Sequence, residues 1–269
     1  MRQIELPEVS LAVHDEGQGE TLLLVHGFPL DHTMWRTQTE SFRDSYRVIA
    51  PDLRGFGESG KTSGPLSMRQ HADDLARLLD ALDIGDPVHF CGLSMGGYIA
   101  WEFWQNYPAR LRSLILCDTR AAGDTEQAAA GRREMAERVP HEGSEYVAEV
   151  MLPKLVAPRE LEEDTPVARR IREMILKTDP ETIVAAQQGM AGRADFRARL
   201  SEIQHPSLVV VGEQDAITPV DEMRGIAAAL PNSRFVPLAE AGHMAPMEQP
   251  EAFNAALRDF LDELEPASG

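Results

Sequence analysis

Short apolar, β-branched runs alternate along the chain with longer stretches in which apolar residues recur every three or four positions. The first pattern suits strands buried on both faces and the second suits amphipathic helices, so the alternation predicts a mostly parallel sheet flanked by helices. Strands are predicted at Ile4–Leu6, Val9–His14, Thr21–His26, Arg47–Pro51, Val88–Cys91, Leu114–Cys117, Ser207–Val211 and Arg234–Leu238, eight in all. The clearest helix follows Ser67, which can cap it, because Met68, Ala72, Leu75, Leu78, Leu79 and Leu82 fall on one face. Others are predicted near Met34–Phe42, Met95–Tyr107, Pro219–Leu230 and Pro250–Leu264.

Between Leu116 and Ser207 the strand rhythm stops, replaced by charged sequence rich in Ala, Arg and Glu. So long a connection implies structure of its own. Residues 120–200 are therefore expected to form a helical insert lying over the sheet, with residues 1–119 and 201–269 as the core. Tyr146 and Phe196 are the only aromatic residues of the insert.

The composition changes this picture little: 43% hydrophobic and 26% charged residues are ordinary for a globular chain. A formal net charge of −18 repels phosphate backbones and anionic lipid, so neither nucleic acid nor a membrane is an expected partner. Cys91 and Cys117 sit inside apolar runs and are read as buried free thiols. Met1–Val13 lacks the pattern of a signal peptide and no stretch is long enough to span a membrane, which makes the cytoplasm the expected location. The oligomeric state is left open.

The candidate chemistry begins at Gly92-Leu93-Ser94-Met95-Gly96-Gly97, which follows one predicted strand and opens one predicted helix. That is the context of a Gly-x-Ser-x-Gly nucleophile elbow, in which glycines leave room for a strained serine. A serine hydroxyl is a weak nucleophile and needs a base held by a carboxylate. Asp215 follows the strand Ser207–Val211 and His243 follows Arg234–Leu238, so both lie at the sheet edge where parallel sheets build sites. Chain order and strand-end position favour Asp215 as the acid, with Asp118 as its rival after Leu114–Cys117. The backbone N–H groups of Phe28 and Met95 are the expected oxyanion donors, since Pro29 has none to offer. His26 is read as a structural residue of that loop, and Trp35 as a residue that could line the substrate pocket.

Gly55-Phe56-Gly57-Glu58-Ser59-Gly60-Lys61-Thr62 matches the nucleotide-binding P-loop pattern letter for letter. A P-loop must open directly into a helix, and Ser63-Gly64-Pro65 intervenes, so the segment is read as a glycine-rich loop. No His-Glu-x-x-His or paired-cysteine spacing points to a metal.

With HGFP, GLSMGG, GEQD and AGH in this order, the chain resembles the α/β-hydrolase superfamily from about Thr21 onward. The stretches HGFPLDHTMW, PDLRGFGES and LILCDTRA look most like small carboxylesterases and 3-oxoadipate enol-lactonases. The resemblance implies an α/β-hydrolase fold with a cap after the sixth strand, no cofactor, and hydrolysis through an acyl-enzyme. Serine at the elbow argues against the superfamily's haloalkane dehalogenases and epoxide hydrolases, whose nucleophile is an aspartate.

The expected activity is that of a serine carboxylesterase acting on a small-molecule ester, uncharged and with a short acyl chain. The acidic surface disfavours anionic substrates, and an enclosed pocket limits chain length. A lactonase of the enol-lactonase type is the alternative, for which Arg120, Arg132 or Arg133 would have to face inward to bind a carboxylate; they are read as facing solvent. A receptor that keeps the fold and triad but turns over very slowly is an alternative of another class.

Overall fold

The computed structural model describes residues 1–264. The strands are β1 (Arg2–Glu5), β2 (Ser10–Glu16), β3 (Thr21–Val25), β4 (Arg47–Pro51), β5 (Val88–Leu93), β6 (Leu111–Cys117), β7 (Ser207–Gly212) and β8 (Ser233–Leu238). They form one eight-stranded sheet in the order β1-β2-β4-β3-β5-β6-β7-β8. Only the pairings of β2, with β1 and with β4, are antiparallel. Every residue of the inner strands β3, β5 and β7 is buried, which explains their unbroken apolar runs: a parallel strand covered on both faces has no side to give to water. The first strand begins at Arg2, earlier than its apolar residues suggest, and stops at Glu5, because the Leu6 N–H turns back to the Val9 carbonyl at 2.9 Å to close the hairpin.

The helices are α1 (Arg36–Phe42), α2 (Met68–Ala81), α3 (Met95–Asn106), α4 (Glu126–Leu155), α5 (Pro158–Glu162), α6 (Pro166–Lys177), α7 (Pro180–Ala191), α8 (Val220–Ala229), α9 (Ala245–Glu248) and α10 (Pro250–Asp262). Ser67 caps α2 as expected, accepting the Gln70 N–H at 3.1 Å. His32–Trp35 form a 3₁₀ turn ahead of α1, so that helix starts later than its apolar pattern suggests.

The stretch between β6 and β7 is helical, as expected for an insertion after the sixth strand. It comprises α4 to α7, with α4 packed on α6 and α7. Within α4 the backbone breaks at Gly143, whose φ of 73° lies in the left-handed region open to glycine. Cys91 and Cys117 are buried free thiols whose sulfurs lie 3.9 Å apart. Among the described residues no helix is long and apolar enough to cross a membrane.

Candidate active site

Three strand ends carry the candidate residues. Ser94 follows β5 directly and sits at the mouth of α3 with φ 51° and ψ −109°, a conformation that non-glycine residues rarely adopt. The turn is held by the Ser94 N–H on the Cys117 carbonyl at 2.9 Å and by the Thr119 hydroxyl on the Ser94 carbonyl at 2.7 Å. A Cβ on Gly96 would stand 2.4 Å from the Val25 carbonyl oxygen, so only glycine lets α3 approach β3 this closely.

Asp215 and His243 are brought together: His243 Nδ1 lies 2.7 Å from Asp215 Oδ2, and both side chains are buried. The other oxygen, Oδ1, accepts the Ile217 and Thr218 N–H groups at 2.7 and 2.9 Å. A carboxylate can only accept, so Nδ1 carries the proton and the Nε2 lone pair is left for a hydroxyl. His243 is held in turn by Glu248, a buried residue that sequence reasoning missed. Glu248 Oε1 accepts the Gly242 and Met244 N–H groups at 3.1 and 3.0 Å, and Oε2 accepts Ala157 N–H at 2.7 Å. Burial pushes its carboxyl up to about 7 although the three amides pull the other way. The spacing His243-x-x-x-x-Glu248 gives no periodic signal.

Asp118, the rival acid, does not hydrogen-bond to His243. It is fully buried, its Oδ1 accepts the Gly212 N–H at 2.8 Å, and burial first, then the charge of Asp215, pushes its carboxyl well above the usual range.

The loop after β3 packs against the elbow, since a Cβ on Gly27 would lie 3.5 Å from the Ser94 Cβ. Phe28 and Met95 are buried, and among the described residues neither backbone N–H has a hydrogen-bond acceptor. His26 donates from Nδ1 to the Gly27 carbonyl at 3.0 Å and accepts the Leu53 N–H on Nε2 at 3.0 Å. Burial lowers its pKa, so it stays neutral and ties two loops together, the structural role expected of it. Trp35 is fully buried, its ring 6.2 Å from that of Phe253 on α10, which makes it a packing residue in the core.

The P-loop lookalike is a glycine turn. Helix α2 begins only at Met68, and Lys61 forms an ion pair with Asp179 at 2.5 Å. Two side-chain groups, Asp31–His32–Asp52 and Asp118–Asp215–His243, come within 4.8 Å of one another, as metal ligands would. In the first, His32 Nδ1 is bonded to Asp52 at 2.7 Å and Asp31 accepts the Thr33 N–H at 2.8 Å. In the second, Asp215 and His243 are bonded to each other, and one Asp118 oxygen lies within the same 4.8 Å.

The helices after β6 reach down onto these same loops. Thr178 donates to the Pro29 carbonyl at 2.7 Å, Thr182 to the Gly55 carbonyl at 2.8 Å, and Arg170 to the Thr33 carbonyl. The Met244 N–H bonds the Leu155 carbonyl at 3.0 Å. Of the three arginines read as solvent-facing, Arg133 is exposed and pairs with Glu126. Arg120 and Arg132 are instead half-buried, paired with Glu222 at 3.2 Å and Asp124 at 2.5 Å. The sequence hid the first of these pairs because Glu222 lies far along the chain.

The sheet order, the strained serine at the β5–α3 turn and the histidine–aspartate pair beyond β7 and β8 define an α/β hydrolase. Residues 20–250 match the α/β-hydrolase fold family, and the chain belongs to it. It is 30% identical to 3-oxoadipate enol-lactonase 2 of Acinetobacter baylyi, over 94% of each chain. Among solved structures it is similar to a thermophilic esterase from Thermogutta terrifontis, at 46% identity and a TM-score of 0.94 over 97% of this chain and 98% of that one. It is also similar to the enol-lactonase from Burkholderia xenovorans LB400, at 27% identity and a TM-score of 0.90 over 97% and 100%.

Proposed function

We propose that the protein is a serine carboxylesterase with Ser94 as nucleophile, His243 as general base and Asp215 as the acid that orients it. The observation that carries this reading is the Asp215–His243 hydrogen bond, which fixes the Nδ1–H tautomer at the same sheet edge that carries the strained Ser94. His243 Nε2 takes the Ser94 proton as Oγ bonds to the ester carbon, and the carbonyl electron pair moves to oxygen. The Phe28 and Met95 amides receive that oxyanion. Collapse expels the alkoxide, which takes the proton from His243, and water then hydrolyses the acyl-enzyme with the same base. Residues 120–200 act as a cap domain that closes a finite pocket over Ser94, through the contacts to the Pro29, Thr33 and Met244 loops.

The enol-lactonase relatives favour a second reading, lactone hydrolysis. A lactone bearing a carboxylate needs an unpaired cation in the pocket, and Arg120, Arg132 and Arg133 each already hold a carboxylate.

A fluorophosphonate probe tests the mechanism. It should label Ser94 alone, and Ser94→Ala and His243→Ala should each lower turnover by several orders of magnitude while the fold is kept. Labelling elsewhere, or near-normal turnover in Ser94→Ala, would sink it.

A further inference from the structure

We propose that Asp118 carries a proton that it shares with Asp215, and that it stands as a reserve acid for His243. The inference rests on the assignment of His243 as base. Asp118 lies at the end of β6, between the strands that end in Ser94 and Asp215. One oxygen of each carboxyl and one nitrogen of His243 lie within 4.8 Å of one another, and all three side chains are buried.

Two carboxylates this close in a dry site cannot both hold a charge, so one proton must be shared between them. The hydrogen bonds say where it resides. Asp215 faces donors on both oxygens, namely Ile217 N–H, Thr218 N–H and His243 Nδ1–H. Asp118 has a single donor, Gly212 N–H on Oδ1, and its Oδ2 has no hydrogen-bond partner among the described residues. A bare buried oxygen is costly as half of an anion and satisfied as an O–H aimed at the neighbouring carboxylate. The other titratable groups around Asp118 reinforce this: Glu248 adds negative charge, and the adjoining Cys117 thiol is pushed up by burial and stays neutral.

The Asp118 O–H thus helps fix the Asp215 carboxylate, which makes Asp118 a positioning residue. Its second role follows from the same proximity. When Asp215 loses its charge, the electrostatic reason for Asp118 to keep its proton goes with it. Asp118 then gives the proton to solvent and presents a carboxylate within reach of His243.

The test compares Asp118→Asn, Asp215→Asn and the double variant, with thermal melting to verify folding. The amide introduced by Asp118→Asn can donate in place of the acid, so this variant should keep turnover within about threefold of the parent. Asp215→Asn should keep a residual activity that rises with pH as Asp118 ionises, and adding Asp118→Asn should remove about tenfold or more of it. A double variant no worse than Asp215→Asn, or an Asp118→Asn loss equal to that of Asp215→Asn, overturns the proposal. Infrared spectroscopy of the unsubstituted protein with isotope-labelled aspartate reads the proton directly. The shifted band of a protonated aspartic acid should be present at about pH 8, far above the ordinary aspartate range, and its absence overturns the proposal without any variant having to fold. The band is also read in Ser94→Ala. If that variant kept its turnover, the assignment of the base would fail while the band stood.

Discussion

Glu248 brackets His243: one of its carboxylate oxygens accepts the N–H before the histidine and the N–H after it, at 3.1 and 3.0 Å. Its other oxygen takes Ala157 N–H, where α4 passes into α5, so the loop of the proposed base and the middle of the cap segment share one anchor.

That anchor has a pH signature. Burial raises the Glu248 pKa from the ordinary 4.5 to about 7. Across that window the folded chain keeps a proton that the unfolded chain has lost, so the contribution of Glu248 to stability falls as pH rises and levels off above about 7. Glu248→Gln removes the titration. The parent should therefore lose stability relative to Glu248→Gln between the two ends of the window, as read from urea midpoints at each pH. A difference that does not change with pH would refute the assignment.

At the elbow, steric room is the requirement. A Cβ on Gly92 would sit 2.4 Å from the Gly96 carbonyl oxygen, a rigid backbone atom. Gly92→Ala should cost about 1–3 kcal/mol or more, since the turn must shift, and turnover should fall with it. Gly131 in α4 is the control, with nothing within 4 Å of its Cβ position. Gly131→Ala should be neutral or stabilise by up to about 1 kcal/mol. Equal losses at both positions, by thermal melting, would dismiss the packing argument.

Much of this arrangement was legible in the chain, and the parts that were not share a cause. Strands β3, β5 and β7 could be read because burial on both faces leaves an apolar run that no helix period explains. Ser94 and Asp215 stood out as candidates because each follows such a run, and His243 because it follows the less buried strand β8. Three of the four helices of the insert, α5 to α7, begin at Ala157-Pro158, Thr165-Pro166 and Asp179-Pro180, and proline at a first helical position is a signal that would have divided them. The contacts of Glu248 with Ala157, the closeness of Asp118 to Asp215 and the Glu222 partner of Arg120 were hidden, because each depends on which residues the fold brings side by side. Trp35 shows the same limit: its aromatic surface is plain in the sequence, but Phe253, which covers it, stands near the other end of the chain.

A buried ion pair supports the loop after β4. Arg54 donates two hydrogen bonds to Asp74 at 2.7 and 2.6 Å, with both side chains almost fully buried. Asp74→Ala leaves the guanidinium with Glu8, 3.6 Å away and largely exposed, as its remaining carboxylate. The expected loss is about 3–5 kcal/mol, because removing one partner strands a buried charge. Urea unfolding measures it, and a loss below about 1 kcal/mol would mean that solvent or Glu8 replaces Asp74.

The substrate class follows from how the insert meets the core. Thr178, Thr182 and Arg170 fasten α6 and α7 to the loops after β3 and β4, and Leu155 fastens α4 to the loop of His243. If, as proposed, the insert roofs a pocket over Ser94, that pocket is bounded at the acyl end, and each methylene beyond its wall must displace packed side chains. Acyl chains of about two to six carbons should therefore be preferred over fatty acyl chains. Charge selects in the same direction. The formal net charge of −18 opposes anions at long range, and Arg120, Arg132 and Arg133 are held by Glu222, Asp124 and Glu126. A carboxylate-bearing lactone that used one of these three arginines would have to break its pair. In a comparison of kcat/KM for a butyrate ester, a palmitate ester and a carboxylate-bearing lactone, butyrate should lead palmitate by about a hundredfold or more, on the scale of steric exclusion from a closed pocket. A palmitate preference would make the pocket an open groove and the protein a lipase. A hundredfold preference for the lactone would make it a lactonase, and substituting Arg120 and Arg132 one at a time would then show which pair opens to admit the substrate.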